Sequence, residues 1–343
     1  MSKKAIASSA VLFVTLSVVF AGSAPARLAT PQTRVFEFTY RTQITQVPEG
    51  TKELRIWIPN PVTDAHQLIG DVHIVSPVEA VVHKDLRFDN SILFVSIPNP
   101  KSTPIEIELK FKVRRSEYIK KDFARRQPVS AGRLDPSVAA YLKPDRLVPL
   151  NDRITGLAAE VTAGKTTSLE KARAIYDYTL ANMKYDKSGE GWGHGDILYA
   201  CDAKHGNCTD FHALFIGLCR ASGIPARFSI GFPLPDQRGE ADIAGYHCWA
   251  EFYLNGYGWV PVDASEASKH PEKREYFFGA HDENRVQLST GRDIVLEPKQ
   301  SGAPLNYFVY PYAEADGKPL DSNSIKSQFH FKDLETASPD KTL

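Results

Sequence analysis

Apolar and polar residues alternate along much of residues 34–113. Phe36, Phe38 and Tyr40 follow this rhythm, then Leu54, Ile56 and Ile58, then Ile105, Ile107, Leu109, Phe111 and Val113. Successive side chains of a strand point to opposite faces, so a period of two gives one apolar face and one wet face, as in antiparallel sheets. Pro48-Glu49-Gly50 and Pro98-Asn99-Pro100 supply turns between the runs. Several strands with no helical pattern among them predict an antiparallel β-sandwich over residues 27–115. No catalytic cluster stands out in this region, which reads as a structural or substrate-presenting module.

The period then changes. A basic, poorly periodic stretch (Arg114, Arg115, Lys120, Lys121, Arg125, Arg126) has acidic residues interspersed, and residues 116–149 read as a solvated linker. Ile154, Leu157, Ala158 and Val161 take helical spacing. Thr167-Ser168-Leu169-Glu170 fits a capping box that opens a second helix carrying Ala172, Ile175, Tyr176 and Leu180. A third helix is expected from about Cys208 to Ser222, with an apolar stripe of Phe211, Leu214, Phe215, Leu218 and Cys219. Gly223 and Pro225 stop it. Strands are expected at 226–232, 246–254 and 258–263. Residues 150–290 thus form a helical and stranded core. Residues 291–343 add shorter strand-like runs, with 315–343 polar and loosely ordered.

Composition narrows the function. The 343 residues carry 41 Lys+Arg and 41 Asp+Glu, for a formal net charge of zero. That balance gives no electrostatic reason to expect a nucleic-acid partner. Residues 1–26 hold a positive start (Lys3, Lys4), an apolar stretch densest from Val11 to Phe20, and Ala24-Pro25-Ala26, which fits an A-x-A cleavage site. This is the layout of a secretory signal peptide. The stretch is short for the roughly 20 residues of a membrane span. The mature chain is therefore expected to be periplasmic or extracellular, with no membrane attachment. The four cysteines are too few for a disulfide scaffold and form no C-x-x-C pair.

Three ordered blocks carry candidate chemistry: Gly206-Asn207-Cys208-Thr209-Asp210 at a helix start, Tyr246-His247-Cys248-Trp249-Ala250-Glu251-Phe252 on a strand, and Gly258-Trp259-Val260-Pro261-Val262-Asp263 on the next. A cysteine in the first turn of a helix meets the positive end of the macrodipole and unpaired N–H groups, which favour the thiolate. A nearby imidazole strengthens that and carries a proton to a leaving amine. A carboxylate beyond the imidazole fixes its tautomer. Strand alternation puts His247, Trp249 and Glu251 on one face and Cys248, Ala250 and Phe252 on the other. A three-residue loop, Asn255-Gly256-Tyr257, brings Asp263 to the His247 face. A two-residue Asn-Gly loop, the common hairpin choice, would place it beside Cys248 on the wrong one.

These blocks resemble the transglutaminase-like superfamily of cysteine enzymes, through 206–232, 245–253 and 256–265, with Gly223–Arg227 (GIPAR) and the His-x-Trp pattern of His247 and Trp249. The resemblance implies an α+β fold, with the β-sandwich followed by a papain-like core of helices on an antiparallel sheet. It implies Cys208 as nucleophile, His247 as base and Asp263 as orienting carboxylate. Tyr185 is the nearest match to the aromatic that helps form the oxyanion hole in relatives, with Trp192 close by. The implied function is acyl transfer on peptide or side-chain amides of a peptide or protein substrate, through a thioester and without a cofactor. Hydrolysis is slightly favoured over transamidation in a small exported chain without calcium-site motifs. The competing reading is a non-catalytic peptide- or cell-wall-binding module on the same fold.

Bland roles account for the neighbours. Cys219 and Cys248 read as core, His212 as a packing or hydrogen-bonding residue, and Asp210 as support for the helix start. Cys208 and Cys219 lie about 16 Å apart along a helix, too far for a disulfide. With Cys208 kept free, at most one bridge can form among Cys201, Cys219 and Cys248, and Cys201 is its expected member. His194, Cys201, His205, Cys208 and His212 fit no common metal-ligand spacing.

Overall fold

The computed structural model describes residues 30–101, 103–125 and 134–334. The expected signal peptide lies outside them.

Six strands open the described chain: β1 (Thr33–Ile44), β2 (Glu53–Asn60), β3 (Gln67–Val75), β4 (Ala80–Lys84), β5 (Ser91–Pro98) and β6 (Ile105–Ser116). The alternation read from the sequence is the burial observed: Phe36, Phe38 and Tyr40 of β1 and Ile107, Leu109, Phe111 and Val113 of β6 point inward. β1 and β6 pair antiparallel over their full length, with Phe38 opposite Phe111.

These strands do not close the two sheets alone. After them come β7 (Tyr118–Ile119), α1 (Pro136–Ala139), α2 (Asp152–Val161), α3 (Ser168–Asn182), β8 (Lys184–Tyr185), α4 (Ile197–Ala203), β9 (His205–Gly206) and α5 (Cys208–Ala221). The second half adds β10 (Ala226–Pro233), β11 (Glu240–Asp242), β12 (His247–Leu254), β13 (Gly258–Val262), α6 (Ala264–Lys269), β14 (Ala280–His281), β15 (Arg285–Thr290), β16 (Tyr312–Ala315), β17 (Lys318–Pro319) and β18 (Ile325–Asp333). One five-stranded sheet runs β11-β18-β1-β6-β3 and the other β17-β16-β2-β5-β4. The C-terminal strands therefore complete both sheets. The loose order expected over 315–343 is corrected by β18, which pairs with β1 from Phe36↔Asp333 to Ile44↔Ile325 and buries Phe329 and Phe331. Its polar residues occupy the wet face, which made the segment look like a tail.

The expected linker is likewise not free. β7 pairs with β14, Phe123 packs against Tyr257 and Phe278, and Val148 is buried.

The third sheet runs β13-β12-β10-β15. α5 lies on it, with α2, α3, α4 and α6 also packed against α5. Enclosure on all sides is why Cys208 through Arg220 are all buried, well beyond the expected stripe. Burying Phe211 and Phe215 alone contributes about 1.5–3 kcal/mol each. A predicted start and a predicted stop both hold: Thr167 and Glu170 form the capping box of α3, and Gly223 (φ +77°) ends the turn after α5. The architecture is α+β, and α5 is its centre.

Candidate active site

Cys208 opens α5 because the residues around it satisfy the helix's unpaired N–H groups. Asn207 Oδ1 accepts from Thr209 N–H at 2.8 Å, and Asp210 Oδ2 accepts from Asn207 N–H at 3.0 Å. Asp210 also accepts from Gly193 N–H at 2.7 Å and Gly195 N–H at 3.0 Å, which straps the glycine-rich loop of residues 189–195 to the helix start. Gly206 is required beside it. A Cβ there would sit 2.2 Å from Asp210 Oδ2.

β8 pairs in parallel with β9, which sets Tyr185 opposite Gly206, two residues before Cys208. The Tyr185 ring packs near Phe211, and the Lys269 ammonium lies 4.9 Å from its centre. Burial, then the proximity of Cys208, keeps the Tyr185 hydroxyl protonated.

His247 and Asp263 meet through the hairpin. Leu254 pairs with Gly258 and Ala250 with Val262, so the loop has the three residues that the geometry called for. His247 Nε2 and Asp263 Oδ2 are 2.7 Å apart. Asp263 is fully buried and also caps α6, its Oδ1 accepting from Glu266 N–H at 3.0 Å and Ser265 Oγ at 3.1 Å. With Nε2 committed to Asp263, Nδ1 is the ring nitrogen left for the thiol.

The charges follow from this arrangement. Burial opposes a positive His247, but Asp263 and the Cys208 thiolate push its pKa up to about 10. Burial also opposes a thiolate, yet hydrogen bonds from Cys248 and His247 and the imidazolium charge hold Cys208 well below the usual thiol range. Both directions favour a thiolate–imidazolium pair over the neutral one. Asp263 stays ionised against its burial because His247 and Arg285 face it.

Three neighbours complete the site. Arg285, at the start of β15, is buried and donates from Nη1 to Asp263 Oδ2 at 3.0 Å, the oxygen that also holds His247. Its Nε reaches Asp282 Oδ1 at 3.3 Å, and its guanidinium lies 4.9 Å from the Trp249 ring centre. Sequence reasoning did not single it out; an arginine opening a strand carries no local signal. His212 takes the hydrogen-bonding role expected of it. Ala264 N–H donates to its Nε2 at 3.2 Å, so Nδ1 carries the hydrogen and donates to Cys208 O at 2.8 Å. Burial favours this neutral form. Tyr246 places its hydroxyl 2.9 Å from Asn207 Nδ2 and 2.8 Å from Thr209 Oγ1, and its ring contacts Tyr307 and Tyr310.

Cys248 faces away from His247, as alternation requires, but that face is the one α5 covers. Its Sγ therefore lies at the first turn of α5. All four cysteines are free thiols, Cys201 half-buried and the others buried. Trp192 is half-buried in the strapped loop and donates to Gly189 O.

A cleft of about 520 Å³ reaches the His247 side, lined by Pro235, Asp242, Ala244, His247, Glu266 and Arg285. A larger hollow of about 840 Å³ lies between α3 and Phe123 and touches none of these groups.

Comparison with known proteins agrees with the fold. Residues 155–264 match the profile of the transglutaminase-like superfamily. An uncharacterized protein of Haemophilus influenzae is 29% identical over 324 residues, spanning 84% of this chain and 88% of that one. The uncharacterized protein YebA of Bacillus subtilis is 26% identical over 149 residues, 38% of this chain and 20% of YebA. A Cytophaga hutchinsonii structure described as a "putative cysteine protease" superposes with a TM-score of 0.59 at 18% identity, covering 90% of this chain and 94% of that one. Around the thiol, imidazole and carboxylate assembled by α5, β12 and the start of α6, the chain carries a transglutaminase-like core domain over residues 155–264.

Proposed function

We propose that the protein is an exported cysteine enzyme that transfers acyl groups from peptide or side-chain amides. The observation that carries this reading is the ordered contact of His247 Nε2 with the buried Asp263 at 2.7 Å, beside a cysteine that opens a helix. The Cys208 thiolate attacks the amide carbonyl. The oxyanion is met by the Cys208 N–H and the Tyr185 hydroxyl. His247 gives its proton to the departing amine, and the thioester remains. Water, deprotonated by His247, then releases the acid. Asp263 holds the imidazole's tautomer and charge throughout. Hydrolysis is the favoured outcome over transfer to a lysine amine.

A peptide-library digest with and without added lysine tests this reading. New peptide termini in wild type, unaffected by lysine and absent in Cys208→Ala, are expected. Products joined to lysine would instead identify transamidation. Equal turnover in wild type and Cys208→Ala would overturn the assignment. Export rests on residues 1–26. Amino-terminal sequencing of the cell-envelope fraction should begin after Ala26, and a retained Met1 in the cytosol would contradict it.

A further inference from the structure

α5 and β12 bring a second thiol to the candidate nucleophile. Cys248 Sγ lies 4.0 Å from Thr209 Oγ1 and 3.7 Å from His212 Nδ1, and the same His212 nitrogen donates to Cys208 O. These contacts fix Cys248 over the first turn of α5, the turn that Cys208 opens. Cys248 is buried and takes no part in the acyl-transfer steps.

We propose that Cys248 is a resolving thiol, which converts peroxide-oxidised Cys208 into an intramolecular Cys208–Cys248 disulfide. The inference rests on the ionised Cys208 of the proposed triad. In the first step the thiolate attacks one oxygen of hydrogen peroxide. The O–O bond breaks, sulfur is oxidised to Cys208–SOH, and hydroxide leaves. In the second step the Cys248 sulfur displaces hydroxide from Cys208–SOH. The S–S bond forms and, with the Cys248 proton, one water is released. Peroxide is the only oxidant consumed.

The environment orders these steps. In the resting site, burial and the adjacent Cys208 thiolate keep Cys248 protonated, so Cys208 is the thiol that meets the oxidant. Oxidation of Cys208 removes its negative charge, and with it part of what holds the Cys248 proton. The other cysteines are poorly placed. Cys219 lies about 16 Å further along α5, and Cys201 sits on α4. The disulfide would stop the nucleophile from advancing to sulfinic and sulfonic acids, which thiols do not reduce.

The test treats the mature protein and its Cys248→Ala and Cys248→Ser variants with hydrogen peroxide and reads intact mass and peptide maps under non-reducing conditions. Wild type should lose roughly 2 Da, yield a linked peptide pair containing Cys208 and Cys248, and recover its mass with dithiothreitol. Both variants should instead gain about 32 or 48 Da at Cys208, unchanged by dithiothreitol. Over-oxidation of Cys208 in wild type at the variants' rate, with no linked pair, would overturn the inference. The readout is mass rather than turnover. A linked pair in a protein inactive on every amide refutes only the acyl-transfer reading, and amide turnover without a linked pair refutes only this one.

Discussion

At the scale of single residues, pH gives the sharpest checks. Cys208 is held well below the usual thiol range and His247 is pushed up to about 10, so the ion pair should persist through neutral pH. An ordinary thiol of pKa about 8.5 becomes nearly tenfold more reactive per pH unit below that value. Alkylation of Cys208 by iodoacetamide should therefore be nearly flat between about pH 6 and 8. His247→Ala should restore the steep rise; a flat profile in that variant would remove His247 from the pair. Asp263→Asn is expected to lower kcat by about 10²–10⁴-fold through the wrong imidazole tautomer. Arg285 is a positioning residue with the opposite influence. It shares Asp263 Oδ2 with His247 and adds a positive charge beside the imidazolium. Arg285→Met should let His247 hold its proton more tightly. The alkaline limb of the pH–rate profile should move upward and kcat fall about tenfold at unchanged KM, a weaker acid serving the leaving amine less well. Arg285→Lys, which keeps the charge, should bring the limb back. Simple loss of stability moves neither limb.

At the scale of elements, one side chain ties the start of α5 to the glycine-rich loop. Asp210 accepts three backbone hydrogen bonds, from Asn207, Gly193 and Gly195. Losing a cap costs about 0.5–2 kcal/mol, and hydrogen bonds to a charged group count for about 1.5–3 kcal/mol. Asp210→Ala should therefore lower unfolding free energy by about 2–4 kcal/mol in urea titration. It should also open the 189–195 loop to proteolysis, although Arg292 donates to Gly195 O and His194 O from the other side. The expected capping box of α3 was legible because its four residues are contiguous. The Asp210 strap was not, since Gly193 and Gly195 are distant in sequence and carry no side chain to read.

At the scale of the whole molecule, the first and last described strands lie side by side. β18 lies beside β1, and Arg34 joins Asp333 at 2.8 Å. Phe329 packs on Phe232 of β10 with ring centres 4.1 Å apart, so the C-terminal strand also supports the sheet that holds His247. Phe329→Ala should cost about 3–5 kcal/mol, the usual range for a buried Phe. Ending the chain before Ile325 should leave β1 an exposed edge and send the protein into aggregates on expression, as sedimentation of the lysate would show. A soluble, monodisperse truncation would refute a structural role for β18.

The sequence by itself determined the strand rhythm of residues 34–113, the helix stops and starts, and the three blocks holding Cys208, His247 and Asp263. Even the loop length that joins the last two followed from alternation once Asp263 was required to share the His247 face. These features are local: period, capping and side-chain direction depend on neighbours within a few residues. Only the tertiary structure decided that residues 325–333 are a strand that buries Phe329 and Phe331, that α5 is enclosed on every side, and that Arg285 and Cys248 meet the site. Those facts depend on long-range pairing of sheets and helices. A strand pattern records which face is buried, but not what covers it.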